Sequence, residues 1–301
     1  MPQSLLAAPD VPDAQRSRAE FLLRYADVDQ TGALKFSALP LALERCGWDE
    51  VMRRDEPMER LAREHGMLAI LTRFRMRCGG GPIAVTDKVE GRGAFDWSHT
   101  VDDNDTVNRI LFTIHASLAG RAGLTHGDAP ANAGERIELG SIEAEHVFTR
   151  PFADAAGRRV TALPDDCGLP SVPERRSPWR VPARLATPPN DARRLDREPR
   201  LARRVLFGLT HTDSNRHVNS LVYPALFEEM VLERLHELGV ATGELQLREL
   251  EIAYRKPCFA GERVEVMVQA LRSGDRFGAV GSFVPLDRED RRPHCYVQVW
   301  F

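Results

Sequence analysis

No run of the 301-residue sequence is apolar for anything near the roughly 20 residues that a membrane-spanning helix needs. Cysteines are few and far apart: Cys46, Cys78, Cys167, Cys258 and Cys295, with no C-x-x-C pair. That argues against a zinc knuckle or a disulfide framework and fits a reducing compartment. Lysine is nearly absent, with only Lys35, Lys88 and Lys256 among 41 basic residues. We read that arginine bias as genomic composition. Neither sign of charge dominates, since 41 basic residues face 44 acidic ones for a net charge of −3. Nothing global therefore points to nucleic acid or to a membrane surface. The opening MPQSLLAAPDVPDAQ has no basic start followed by an apolar core. A secretory leader is not expected, and a cytoplasmic location is.

What is present is ordinary for a globular protein, 43% hydrophobic and 28% charged. The length suits one large domain or two modest ones, each able to bury a core. Proline divides the chain. Residues 164–199 contain eight prolines, a density that no helix or central strand survives. The same region is basic: residues 171–204 hold ten arginines against Glu174, Asp191, Asp196 and Glu198. It is expected to run as an extended, solvated connection, with Arg175, Arg176 and Arg180 as a possible rim for an acidic partner.

The element order is the same on either side. The first half reads as a strand and turn (FLLRYADVDQTG), a helix (ALPLALERCGWDEVMRR) and four strand-like runs (MLAILTRFRMRC, IAVTDKVEGRGAF, NRILFTIHASLAG, SIEAEHVFTRPF). The second half reads RRVLFGLTHTDSNRHVN, then a helix PALFEEMVLERLHELG closed by Gly239, then LRELEIAYRKPC, RVEVMVQALRS, RFGAVGSFVPL and CYVQVWF. The two openings superpose at a constant offset. DVDQTGALKFSALPLALE lies on HTDSNRHVNSLVYPALFE, so that Asp29 meets Asp213, Pro40 meets Pro224 and Glu44 meets Glu228, each 184 apart. Duplication explains this best. The expected organisation is a tail over 1–14, a first unit over 15–155, a join over 156–200 and a second unit over 201–301. The fold class expected is α+β, a tandem (double) hotdog in which each antiparallel sheet wraps a central helix.

The stretch HTDSNRHVNS (211–220) concentrates groups that bind or move protons. Asp213, Asn215 and His217 bring a carboxylate, an amide and an imidazole within five residues. Asp213 is expected to end a strand just before a helix. Helix-start N–H groups there, around Asn219 and Ser220, would face a developing oxyanion. Read separately, Asp, Asn and Ser before a helix are ordinary caps. Read as metal ligands, His211, Asp213 and His217 match no standard spacing, so neither a metal nor a cofactor is expected.

The pattern Asp213-x-Asn215-x-His217-Val218-Asn219, followed by Tyr223, resembles the D-x-N-x-H-V-N-N…Y signature of the acyl-ACP thioesterases. AYRKPC (253–258) is similar to that family's Y-R-R-E-C, and YADVDQTGAL resembles its first-repeat opening. The resemblance implies a hydrolase that frees a carboxylic acid from acyl-carrier protein or acyl-CoA, in fatty acid or polyketide biosynthesis. It places Asp213 and Asn215 as orienting groups and His217 in acid–base work, with Asn219 and Ser220 positioning the oxyanion. Two departures stand out. Pro257 occupies the family's glutamate position, leaving Cys258 beside it as a secondary candidate. In the first copy Asp29 is kept, but Thr31 and Ala33 replace Asn215 and His217. One working site is then expected in an internal pseudo-dimer, as a monomer or homodimer, with Leu39, Leu41, Leu43 and Trp48 of the first helix free to shape an acyl pocket. Two alternatives remain. A hotdog hydratase or dehydratase would use D-x-N-P-x-H, whose His lies one residue further on and whose proline is missing here. A non-catalytic acyl-carrier-binding protein is favoured only by Pro257.

Overall fold

The computed structural model describes residues 5–48 and 56–301, in two compact units, Met1–Arg180 and Val181–Phe301. The boundary falls inside the proline-rich join.

The first unit is built on β1 (Arg16–Leu22), β2 (Leu68–Cys78), β3 (Lys88–Val101), β4 (Val107–Arg121) and β5 (Arg136–Thr149). They are antiparallel throughout, in the order β1-β3-β4-β5-β2. Ile110, Phe112 and Ile114 alternate along β4 and bury one face against Phe148, Met58, Leu61 and Met67. Trp97 stacks on Phe148 with ring centres 5.3 Å apart. One helix was expected over 38–54. Residues 49–54 lie outside the described residues; before them the structure gives a five-residue α-helix, Leu39–Leu43, with Pro40 in its first turn, widening into a π-helical turn over Glu44–Trp48. Glycine permits the close approach of this segment to the sheet: a Cβ on Gly91 would strike the Cys46 sulfur, and one on Gly93 the Cys46 carbonyl. Leu39 is fully buried, Leu41 and Leu43 are half-buried, and the Trp48 side chain lies outside the described residues.

The first part of the join belongs to this unit and is more than a solvated connection. Val160, Leu163 and Cys167 enter the core. Proline forbids regular structure there but not apolar burial. Beyond Ala94, the last partner of β1, the edge of β3 is taken up by the join. His99 N–H donates to the Arg175 carbonyl (2.9 Å) and Ser177 N–H to the His99 carbonyl (2.8 Å). The arginines expected to form a basic rim are each committed to a carboxylate. Arg175 pairs with Asp96 and Arg176 with Asp105, both at 2.7 Å, while Arg180 reaches Glu143 (3.0 Å) and Glu145 (2.9 Å).

Buried beside Phe112 is His146, whose Nδ1 lies 3.3 Å from the Phe112 carbonyl. Burial depresses its pKa from 6.5 to about 4. The unfolded chain therefore takes up this proton first as pH falls. Stability from the neutral ring is complete above pH 6.5 and is lost between there and pH 4, an effect of about 3 kcal/mol. Urea unfolding at pH 7.5 and at 4.5 should show this loss in the wild type and a smaller one in His146→Gln. Equal losses in both proteins would assign the acid sensitivity elsewhere.

The second unit has β6 (Arg193–Arg194), β7 (Arg200–Leu206), β8 (Glu249–Tyr254), β9 (Arg263–Ser273), β10 (Arg276–Pro285) and β11 (Cys295–Trp300). Its order is β8-β11-β10-β9, with β6 and β7 both pairing β9. One 16-residue helix, Val222–Glu237, buries Tyr223, Phe227, Met230, Val231 and Leu235 at helical spacing. Gly281 of β10 lies beneath Phe227, where a Cβ would collide with the ring. Gly239 (φ +80°) closes the helix as expected, with Val240 N–H donating to the Leu235 carbonyl and Gly239 N–H to His236. Each unit thus sets an antiparallel sheet against a helical segment that follows its opening turn. This is the tandem hotdog expected from the sequence.

Asp196, 4% exposed, anchors the second part of the join. Its carboxylate accepts the Arg234 guanidinium (Nε 3.0 Å) and the Ala270 N–H (2.9 Å), tying join, helix and β9 together. Asp196→Ala strands a largely buried guanidinium and a buried N–H. It should lower stability by about 3 kcal/mol, measurable as a shift of the urea midpoint. An unchanged midpoint would show that Glu237, Arg234's other partner, suffices.

Candidate active site

The stretch 207–221 links β7 to the central helix of the second unit. A short 3₁₀ turn, Leu209–His211, comes first, and a tight loop over 213–217 follows. Asp213 heads this loop. Its Oδ1 accepts the Asn215 N–H (2.8 Å), its carbonyl accepts the Arg216 N–H (2.9 Å), and its own N–H donates to the His217 carbonyl (3.2 Å). Arg216 takes the left-handed conformation, φ +64°, that lets the chain return. Thr212 and Val218 bridge the loop's base.

The first copy builds the same object 184 residues earlier. The 3₁₀ turn is Tyr25–Asp27, the bridge is Val28 with Leu34, and Gly32 (φ +81°) supplies the left-handed residue. Asp29 Oδ1 accepts the Thr31 N–H at 2.8 Å, its hydroxyl at 2.7 Å and the Ala33 N–H at 3.1 Å. Lys35 N–H donates to the Asp27 carbonyl as Asn219 N–H does to His211, both at 2.9 Å. The offset read from three matched residues thus holds for the backbone of the loop. The carboxylate at each head shapes its turn, as a cap would.

The second copy adds side chains that this turn does not need. Asn219 Nδ2 donates to Asp213 Oδ2 (3.2 Å), and Asn219 Oδ1 accepts the Leu221 N–H (2.8 Å). His217 is half-buried, with Nδ1 3.4 Å from the Val218 carbonyl. A carbonyl only accepts, so in the neutral ring that nitrogen carries the proton and the lone pair is on Nε2. The Asn215 side chain is exposed, and the residue reaches Asp213 through its backbone. His211 serves locally, its Nδ1 accepting the Gly208 N–H at 2.9 Å.

Two expectations need correction. Asp213 does not end a strand, because β7 stops at Leu206 and the 3₁₀ turn intervenes. The helix-start N–H groups expected around Asn219 and Ser220 lie ahead of the helix, which begins at Val222, and the Val218 N–H is held by the Cys258 carbonyl at 2.7 Å. As a result the Asn219 N–H is already bonded to His211 and is no oxyanion donor. Ser220 differs: its N–H makes no hydrogen bond among the described residues, while its carbonyl accepts the Tyr254 hydroxyl at 2.7 Å.

Cys258 lies directly behind this loop and is 1% exposed. Burial, and the thiol's hydrogen bond to Glu262, push its pKa well up, so it is a poor nucleophile. Burial would raise Glu262, but the Cys258 thiol and Arg288 outweigh it and lower it. Glu262 is thus the carboxylate set beside Cys258, while Pro257 is exposed. No local pattern in GERVEV marked Glu262. Pairing of the segment 258–262 with Phe207 and Val218 brings it here.

No protein-family model and no curated protein matches the chain in sequence. Solved structures do. An acyl-ACP thioesterase from Bacteroides thetaiotaomicron superposes with a TM-score of 0.58 at 15% identity, over 96% of this chain and 99% of that one. A 12:0-ACP thioesterase from Umbellularia californica gives 0.56 at 13% identity, over 95% and 94%. The chain has the fold of these thioesterases. Likeness at such identity concerns the fold, and fold alone does not assign chemistry. Among the described residues no helix is long and apolar enough to cross a membrane.

Proposed function

We propose that the chain is a thioesterase. It would hydrolyse an acyl thioester, carried by acyl-carrier protein or coenzyme A, to a free carboxylic acid. The observation that carries this reading is the asymmetry of the two loops. Both copies keep the turn-forming aspartate and, seven residues on, an N–H with no hydrogen bond among the described residues (Phe36, Ser220), but only the second adds Asn219 on the other carboxylate oxygen and an imidazole at His217. The turn needs neither side chain, whereas thioester hydrolysis needs a held carboxylate or imidazole for proton transfer beside an N–H for the oxyanion.

In this reading the Ser220 N–H, at the positive end of the Val222–Glu237 helix, receives the thioester oxygen as it gains charge. Asp213, oriented by Asn215 and Asn219, and His217 then polarise the attacking water and return a proton to the leaving thiolate. Thiol leaves and the acid is released, with no other reactant. Asn219 becomes a positioning residue through its side chain, not an oxyanion donor.

The test is a panel of acyl-carrier and acyl-CoA thioesters scored for free thiol and for the mass of the released acid. Thiol and acid in equal amounts support hydrolysis. Tight carrier binding without thiol release would favour the non-catalytic reading that Pro257 suggests, and a change in enoyl absorbance without thiol release would favour a hydratase.

A further inference from the structure

We propose that Cys258, Glu262 and His294 form a transition-metal site in the second unit, suited to Zn²⁺. The sulfur, a carboxylate oxygen and a ring nitrogen of these residues all lie within 4.8 Å of one another. Donors on a tetrahedral zinc stand roughly 3.3–3.8 Å apart, so closure asks for a shift of about 1 Å at the widest pair.

His294 points to a ligand independently of that grouping. It is 1% exposed, and its Nε2 has no hydrogen-bond partner, lying 4.0 Å from Glu262 Oε2. A buried ring nitrogen left unpaired is unfavourable, and native structures seldom tolerate it without a reason. The other ring nitrogen, Nδ1, faces the Lys256 carbonyl at 3.4 Å, which makes it the protonated one. The Nε2 lone pair is thereby aimed at the cysteine and the glutamate. A metal-bound histidine is held in this way.

Each of the three has such an outer partner. The Tyr223 phenol lies beside the Cys258 thiol. Arg288 binds Glu262 Oε1, while Oε2, which accepts the Phe259 N–H at 3.2 Å, keeps its second lone pair on the His294 side. The backbone frame is fixed as well. Arg255 N–H donates to the His294 carbonyl (2.8 Å), His294 N–H to Phe283 (2.8 Å), and Val218 N–H to the Cys258 carbonyl (2.7 Å). Thiolate and imidazole donors select zinc over magnesium or calcium. Metal uptake would release the thiol proton to solvent. A second grouping, Glu64, His65 and Asp166, shares a buried ring nitrogen without a hydrogen bond, His65 Nε2, but it has no thiol, its carboxylates are exposed, and Asp166 already stands 3.0 Å from that nitrogen.

The site would clamp the β8–β9 turn to the start of β11 directly behind the loop that holds His217. Metal binding is independent of whether the chain hydrolyses thioesters, so either proposal can fail alone. The spacing of the sequence gave no sign of it, because His294 is 32 residues beyond Glu262 and is delivered by strand pairing.

The test uses the full chain, free of any histidine tag, stripped with chelator and titrated with Zn²⁺ and, separately, Co²⁺. About one equivalent of zinc should survive gel filtration, raising Tm by about 5 °C or more. The cobalt form should show a thiolate-to-metal charge-transfer band. Cys258→Ser, nearly isosteric, should abolish that band, and His294→Ala should lose retained zinc, while His236→Ala, on an exposed helix face, keeps it. Absence of retained zinc together with an unchanged Tm would overturn the site. So would a cobalt spectrum without the thiolate band, which is read on the wild type and does not depend on any variant folding.

Discussion

Asp213→Asn is expected to lower thioester turnover by about 10²–10⁴-fold, the range typical of an acid–base group, while Asp29→Asn leaves turnover near that of the wild type. The two aspartates occupy equivalent turns, so the pair controls for fold. Asp29 uses one oxygen for three local donors, and an asparagine carbonyl can keep them. Asp213 uses one oxygen for the Asn215 N–H and presents the other to the Asn219 amide. An asparagine at 213 would place NH₂ against NH₂, because Asn219 is held in its orientation by the Leu221 N–H. Some loss of order at the loop is therefore expected beside the loss of charge. The double swap Asp213→Asn with Asn219→Asp separates the two. It restores one carboxylate and one amide facing each other, with the charge on the wrong residue. Continued inactivity with a normal melting curve would assign the effect to the position of the carboxylate. An inactive Asp29→Asn beside an active Asp213→Asn would move the active site to the first copy.

The parts of this site legible in the sequence are those whose physics is local. An aspartate two residues before an N–H that must turn back is needed in both copies, and so the offset of 184 was visible at Asp29 and Asp213. The left-handed residue was visible only in the first copy, where it is Gly32; Arg216 adopts the same conformation without glycine's signature. The oxyanion donors were misplaced because the helix was expected to start around Asn219, so that the N–H groups of Val218 and Asn219 looked uncommitted. Their N–H groups are in fact taken by Cys258 and His211, and only the first of these partners lies far along the chain. Charge was legible in the join, yet its use was not. Arg175, Arg176 and Arg180 look like a free basic rim until Asp96, Asp105, Glu143 and Glu145 are brought opposite by the sheet. Glu262 and His294 follow the same rule, since strand pairing alone makes them neighbours.

His217→Ala should reduce kcat by about 10²–10⁴-fold, and the contrast with its neighbours makes this informative. His211 and His217 both lie in the quoted stretch and could both be imagined as the base. The structure separates them by their Nδ1 atoms. That of His211 accepts the Gly208 N–H and so closes the 3₁₀ turn, which makes His211 a group whose loss costs stability. That of His217 faces the Val218 carbonyl, leaving Nε2 available to a reacting proton. His211→Ala should therefore lower Tm with kcat retained in the folded fraction, and His217→Ala should do the reverse. Asn215→Ala should do little to either, because its contribution to Asp213 is a backbone N–H that alanine keeps. The measurement is kcat and KM on one acyl thioester, with melting curves, for all three variants. If His211→Ala abolishes turnover at unchanged Tm while His217→Ala stays active, the imidazole that works is the one here assigned to the turn. In that case the base stands on the 3₁₀ side of Asp213, against the ring of Phe207, and not on the side of the helix.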